Sequence, residues 1–120
     1  MKTFTLHYTP EAIDDLRDIY SYIAYHLQEK RTAQDQVSRI QAEIKKIKKM
    51  PEQCQRVAWE PWHSIGMRFL PVDHYVVYYE IDQDNKVVHI DRIFYGGRDV
   101  EGMVRKEEHG NAIPPRQPSA

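Results

Sequence analysis

The chain has little of what disulfide-stabilised, secreted or membrane-spanning proteins need. Its 120 residues include a single cysteine, Cys54, so no disulfide can form within the chain. A lone cysteine suits a reducing compartment, and we interpret it as an inert residue, with a reactive thiol as the alternative. No apolar run approaches the ~20 residues of a transmembrane helix, and no signal peptide is visible. These absences predict a cytoplasmic protein that does not contact a membrane.

The chain also lacks an excess of charge of either sign. Seventeen Lys and Arg residues against eighteen Asp and Glu residues give a formal net charge of −1. Non-specific nucleic-acid binders are usually strongly basic, because phosphate contacts dominate their affinity. Four lysines do cluster within residues 45–49, at the end of a predicted helix. We interpret them as a solvated, dipole-matched helix end, with a small nucleic-acid patch as the alternative.

The usual catalytic and metal-binding signatures are missing as well. The sequence contains no phosphate-binding glycine loop, no nucleophile elbow, no zinc-protease motif and no paired cysteines. Six histidines are scattered without ligand-like spacing, although His63 and His74 flank one predicted strand and could meet across a turn. We therefore predict no cofactor and no metal.

What the chain does have is a clear succession of apolar periods. Residues 3–9 alternate as a half-buried strand, and a threonine, a proline and an acidic residue then mark a helix start at Thr9. Apolar residues three and four apart predict helices near 10–27 and 32–50. The predicted stripes contain Ile13, Leu16, Tyr20, Ile23 and Leu27 in the first helix, and Ala33, Val37, Ile40, Ile44 and Ile47 in the second.

Three strands of period two follow this helical hairpin. They are predicted near 66–70, 75–81 and 86–95, with turns at 71–73 and 82–85. The sum is a two-layer α+β domain: an N-terminal strand, an antiparallel helical hairpin, and a three-stranded antiparallel meander in one small sheet. The other face of that sheet is expected to stay partly open, with Trp59, Pro61 and Trp62 as a lid on the core.

The domain is predicted to span residues 1–106. A short helix capped by Asp99 closes it, and residues 107–120 form a disordered tail with almost nothing to bury.

Arginine, tyrosine and histidine residues concentrate on the late strands. Such groups can transfer protons and stabilise charge in metal-independent RNA cleavage. Tyrosine is also common in strands with no chemical role, and period two places these residues on different faces of the sheet. The cluster therefore leaves a catalytic and a purely structural interpretation open. Its members are Arg68, Tyr75, Tyr78, Tyr79, His89, Arg92, Tyr95 and Arg98.

The order of these elements, with MRFLPVDHYVVYYEI at 67–81 and VVHIDRIFYGGRD at 87–99, resembles the RelE/ParE superfamily of type II (plasmid stabilisation) toxin–antitoxin toxins. The resemblance covers about residues 3–104. It implies a growth-inhibiting toxin whose partner is a cognate antitoxin protein. RelE-like members cut mRNA on the ribosome, whereas ParE-like members poison DNA gyrase and commonly end their last strand in a small-residue elbow followed by Arg-Asp. Gly96-Gly97-Arg98-Asp99 matches that ending.

The resemblance favours the ParE-like branch, which is not enzymatic. Where nuclease members tend to carry basic residues on the central strand, this chain has valines and then Glu80. If the chain is instead a ribosome-dependent mRNA endoribonuclease, the resemblance implies Arg68, Tyr95 and Arg98 as its catalytic residues. A non-toxic binding module of the same fold is the third possibility.

Overall fold

The structure is a computed structural model that describes residues 4–108. The main elements are β1 (Thr5–Tyr8), α1 (Pro10–Ser21), α2 (Lys30–Lys46), β2 (Arg68–Val72), β3 (Tyr75–Asp82), β4 (Val87–Tyr95) and α3 (Val100–Glu108). Most of the predicted tail, residues 109–120, lies outside the described residues, so the domain boundary stays a prediction. Within residues 4–108, no helix is long and apolar enough to cross a membrane.

The four strands form one sheet in the order β1-β4-β3-β2. The meander β2-β3-β4 is antiparallel, and β1 joins it at the β4 edge in parallel orientation. The predicted α+β class is therefore confirmed. The N-terminal strand lies beside the last strand in the chain, so the helical hairpin is connected to both edges of the sheet.

Helix α1 begins as its sequence predicts. Pro10 occupies the first helical position, and the Thr9 hydroxyl oxygen accepts a hydrogen bond from the Ala12 N–H at 3.1 Å. A π-helical turn, Tyr22–His26, continues the helix. The predicted apolar stripe is confirmed at Leu16 and Ile23, which are buried, and is wrong at Ile13 and Leu27, which are 40% and 51% exposed.

The two helices bury their apolar faces against one face of the sheet. Because side chains recur every three or four residues, Ala12, Asp15, Leu16 and Ile19 form the face of α1 that meets the strands. The main core includes Ala12, Leu16, Ile19, Ile40, Ile44, Val77, Tyr79, Val88, Ile90 and Ile93.

The predicted ends of α2 and β2 are wrong, by four and two residues. Helix α2 ends at Lys46 rather than near residue 50, and the chain then turns so that the Lys48 carbonyl accepts the Phe4 N–H at 3.1 Å. Strand β2 continues through Pro71, which was predicted to lie in a turn. It can do so because β2 is an edge strand, where a missing N–H is tolerated.

The second face of the sheet is partly covered. Trp59 and Trp62 stack at 4.9 Å and pack with Tyr78 and Phe94 on this face, beneath α3. The tryptophans were predicted to cover the core, and they cover this second apolar cluster, on the face of the sheet away from the helical hairpin. Helix α3 is capped as predicted, since Asp99 Oδ1 accepts the Gly102 N–H at 3.0 Å.

Tyr79→Phe is expected to lower the free energy of unfolding by ~1–2 kcal/mol. The Tyr79 hydroxyl donates to the Pro51 carbonyl at 2.6 Å in a buried position, so its removal leaves that carbonyl without this donor. Urea unfolding measures the change. Tyr25→Phe is the matched control because Tyr25 is 63% exposed, and an equal loss in both variants would contradict the assignment.

Candidate functional site

A buried ion pair joins α1 to β4. The Asp15 carboxylate accepts hydrogen bonds from Arg92 Nε at 2.9 Å and Arg92 Nη2 at 3.1 Å, a bidentate geometry. Strand β1 pairs with β4 only as far as Ile90, and the Ile93 N–H beyond it donates to Asp15 Oδ2 at 2.9 Å. Asp15 is 4% exposed. It therefore completes the edge of β4 and fixes the side chain of Arg92.

Arg92 and Arg98 share one aromatic ring, and we call these two residues the arginine pair. Their guanidinium carbons lie 4.3 and 4.7 Å from the centroid of the Phe94 ring. Burial and then the charge of Arg92 lower the pKa of Arg98, against the opposing effect of Asp15. Arg92 and Arg98 carry two positive charges over this ring, and the Asp15 carboxylate bonded to Arg92 carries one negative charge.

The elbow after β4 leaves little room for a side chain at either glycine. The Gly96 N–H donates to the His74 carbonyl at 2.7 Å, and a Cβ at Gly96 would lie 3.2 Å from that oxygen. A Cβ at Gly97 would lie 2.8 Å from Cε2 of Tyr95. Tyr95 is 43% exposed, and its ring meets the Tyr75 ring edge-on at 6.2 Å.

Arg68 begins β2 and lies four residues along the sheet from the row that holds Tyr95. Its Nη1 donates to the Cys54 carbonyl at 2.6 Å and to the Glu52 carbonyl at 3.3 Å. The guanidinium therefore ties the link after α2 to the start of β2. Arg68 stands opposite Tyr79 in the sheet register.

The structure does not bring the three predicted nuclease residues together. Tyr95 stands opposite Tyr75, four residues from the position opposite Arg68, which corresponds to roughly 13 Å along the strand. Tyr95 and Arg98 are near in sequence, but Tyr95 packs on Tyr75 whereas Arg98 lies over Phe94. A shared catalytic role for Arg68, Tyr95 and Arg98 stays a prediction.

A β-bulge presents an acidic residue in the middle of β4. Tyr78 pairs with Arg92 and Tyr79 pairs with Ile90, so Asp91 has no partner on β3. It helps to line a cleft of about 480 Å³, which we call the acidic cleft. The residues lining this cleft are Glu80, Ile81, Asp82, Gln83, Asp84, His89 and Asp91.

The buried carboxyl of Asp91 keeps its proton at neutral pH. Burial, followed by the hydrogen bond and charge of Glu80 and the charge of Glu11, raises the pKa of Asp91 to about 8. Asp91 Oδ2 is buried and meets no donor within residues 4–108. A protonated Asp91 carboxyl can donate a hydrogen bond to the Glu80 carboxylate, which is one of the causes of the raised pKa.

Asp91→Asn is expected to flatten the pH dependence of stability. The folded chain keeps this proton up to about pH 8, whereas the unfolded chain releases it near its ordinary pKa of 3.8. The folded state therefore binds more protons between these values, and the free energy of unfolding falls as pH rises through them. The amide cannot ionise, so the variant should be more stable than the parent at pH 8. Urea unfolding at pH 5, 6, 7 and 8 measures both slopes, and equal slopes would refute the assignment.

Sequence reasoning missed the roles of Asp15 and Asp91. Asp15 lies three residues after Ala12 and four before Ile19, which are both fully buried. The predicted stripe ran through Ile13, Leu16 and Tyr20 and therefore did not place Asp15 on the buried face. His63 and His74 were candidates for a meeting across a turn. His63 Nδ1 contacts the Val57 carbonyl at 2.8 Å instead. His74 lies beside the elbow after β4, where its carbonyl accepts the Gly96 N–H. Within residues 4–108, no group of three or more His, Cys, Asp or Glu side chains is arranged to hold a metal.

Comparison with known proteins identifies the family. The family model described as the ParE toxin of the type II toxin–antitoxin system parDE matches residues 6–100. The chain belongs to this family. The predicted RelE/ParE resemblance is thereby confirmed, with the ParE-like branch favoured. Membership in the ParE family makes the chain a type II toxin–antitoxin toxin. A search of curated proteins gave no significant match.

Solved structures share the ParE-like fold. A chain of the chromosomal ParDE toxin–antitoxin system of P. aeruginosa is 23% identical with a TM-score of 0.66, over 78% of this chain and 96% of that one. The RelBE2 toxin–antitoxin complex of Mycobacterium tuberculosis contains a chain with 18% identity and a TM-score of 0.57, covering 79% and 93%. The isolated E. coli RelE toxin has 11% identity and a TM-score of 0.55, covering 88% and 98%. At these identities the likeness concerns the fold.

Proposed function

We propose that this ParE-family toxin inhibits growth by poisoning DNA gyrase in the cytoplasm, and that a cognate antitoxin protein neutralises it. The match of residues 6–100 to the ParE family carries this proposal, because ParE-like members of the superfamily act on gyrase. The Gly96-Gly97-Arg98-Asp99 ending of β4 agrees with that branch.

The charge of the sheet supports a protein target over mRNA. A bound RNA strand would meet the acidic cleft, where Glu80, Asp82 and Asp84 lie beside the protonated Asp91. Phosphate groups are repelled by such a surface, and their binding normally depends on Lys and Arg. The position of Arg68 adds to this argument, since its guanidinium is bonded to the carbonyls of Cys54 and Glu52.

An apolar groove on the helical hairpin is the proposed antitoxin surface. The groove has a volume of about 530 Å³ and is lined by Tyr8, Ile13, Leu16, Arg17, Tyr20, Ser21, Val37 and Gln41. Ile13 remains 40% exposed there despite its apolar side chain. A partner segment with apolar side chains would bury this surface, which is the way that amphipathic helices bind grooves.

Purified DNA gyrase tests the proposal directly. Incubation of gyrase with the chain, ATP and supercoiled plasmid, followed by detergent and protease, is expected to yield linear DNA from trapped cleavage complexes. The matched control omits gyrase. Intact plasmid at every concentration of the chain would contradict gyrase poisoning.

The alternative function is a ribosome-dependent endoribonuclease, and the exposure of Tyr95 is the observation that favours it. Cuts in ribosome-bound mRNA, detected by primer extension, would identify this activity. Absence of both activities would indicate the binding module.

A further inference from the structure

The arginine pair places two positive charges next to one buried carboxylate. Asp15 holds Arg92 through two hydrogen bonds, at 2.9 and 3.1 Å. Arg98 lies over the same Phe94 ring, where burial and then the repulsion of Arg92 lower its pKa and the attraction of Asp15 opposes them. One further negative charge would balance this group of residues. An incoming anion at Arg98 is therefore favoured by the charges already present.

The backbone holds Arg98 in place for such a contact. The Arg98 N–H donates to the Tyr95 carbonyl at 3.1 Å, and the Val100 N–H donates to the Arg98 carbonyl at 2.9 Å. Gly96 and Gly97 precede Arg98, are both exposed, and have no side chains that cover an approach. Because the guanidinium already lies over a ring, less side-chain freedom is lost when it binds a partner.

We propose that Arg98, stacked on Phe94 beside Arg92, binds a carboxylate in an acidic segment of the target protein. This inference rests on the proposed function, since it takes the toxin's target to be a protein. A guanidinium matches a carboxylate with two parallel hydrogen bonds. Tyr95, which is 43% exposed, supplies a neighbouring aromatic contact of the kind that anchors protein interfaces.

A carboxylate suits this site better than the phosphates of a nucleic acid. A nucleic-acid strand carries a charge at every nucleotide, so the strand that reached Arg98 would extend its other phosphates across the sheet. The acidic cleft lies on that sheet, with Glu80 two residues along β3 from Tyr78, the partner of Arg92. A short protein segment brings its carboxylate alone and leaves the cleft unoccupied.

Binding to purified gyrase measures the contribution of Arg98. Arg98→Ala is expected to raise the Kd for gyrase about 30-fold, the loss typical of an interface hot spot. Arg98→Lys should also weaken binding, because an ammonium group keeps the charge but loses the planar fork. Arg105→Ala is the matched control: it removes one arginine from an exposed ion pair with Glu101 and should leave the Kd unchanged. A wild-type Kd for Arg98→Ala would overturn the inference.

A second measurement separates this inference from the proposed function. The Nε–H NMR resonance of Arg98 is followed while tetraglutamate peptide, or a DNA oligonucleotide of equal charge, is titrated into the full chain. A saturable shift with tetraglutamate that is weaker with the oligonucleotide supports the carboxylate site even if gyrase does not bind. An unchanged Arg98 resonance, or tighter binding of the oligonucleotide, overturns the inference even if gyrase does bind.

Discussion

Asp15→Ala is expected to lower the free energy of unfolding by ~3–5 kcal/mol, the usual effect of breaking a buried ion pair by removing one partner. The substitution leaves the Arg92 guanidinium without its bidentate acceptor, in a setting where the arginine side chain is 19% exposed. It also removes the acceptor of the Ile93 N–H at the edge of β4. Both losses act on the same side of the sheet, so the variant should unfold at a much lower urea concentration.

Two other variants show whether the buried geometry is responsible. Asp15→Asn keeps an oxygen for the Ile93 N–H but loses the charge opposite Arg92, so an intermediate loss is expected. Glu43→Ala removes a carboxylate from an exposed pair with Lys46 and should cost less than ~1 kcal/mol. If Asp15→Ala unfolds at the same urea concentration as Glu43→Ala, the structural role of Asp15 is wrong.

Induced expression of the chain alone is expected to arrest bacterial growth, and co-expression of a small antitoxin gene beside it should restore growth. Tyr95→Phe is expected to arrest growth as the parent does, because gyrase poisoning does not need a proton from this hydroxyl. A nuclease that used Tyr95 as its acid would lose ~100-fold or more in rate. Translation in a cell-free extract should also continue in the presence of the chain.

The same culture assay tests the antitoxin surface. Ile13→Glu places a charge in the apolar groove, so co-expressed antitoxin should no longer restore growth. Asp35→Glu on the exposed side of α2 is the matched control and should leave rescue intact.

Normal growth of cells that contain soluble parent chain would favour the non-toxic binding module. Inhibition of the extract that Tyr95→Phe abolishes would favour the mRNA endoribonuclease.

Elements specified by neighbouring residues were predictable from the sequence. Thr9 and Pro10 mark the start of α1 through local capping, and Asp99 marks the start of α3 in the same way. The separation of Tyr75 and Tyr79 from Tyr78 followed from period two, and the structure places them in the two different apolar clusters. Helix caps and strand alternation depend only on the geometry of a few neighbouring residues. They can therefore be read without knowing how distant segments pack.

Contacts between distant segments account for what was missed. Beyond the end of α2, the Lys48 carbonyl accepts a hydrogen bond from the Phe4 N–H. The residues near position 46 contain no helix-stop signal from which this contact could be predicted. The bulge at Asp91 can be read from the sequence of β4. Its buried apolar residues Ile90 and Ile93 are three apart, whereas regular alternation would place them two or four apart. The effect of the bulge on the Asp91 pKa, however, depends on Glu80 across the sheet.

By itself the sequence determined the α+β class, the helical hairpin, the meander and the family resemblance, because hydrophobic period and turn residues act locally. Only the tertiary structure decided that Arg68 lies four residues along the sheet from the row of Tyr95. The tertiary structure alone also showed that Asp15 binds Arg92, 77 residues further along the chain. It likewise showed that Arg92 and Arg98 both stack on the ring of Phe94. The physical reason is that charge pairing and burial depend on distance in space, which strand register and the bulge determine and residue spacing does not.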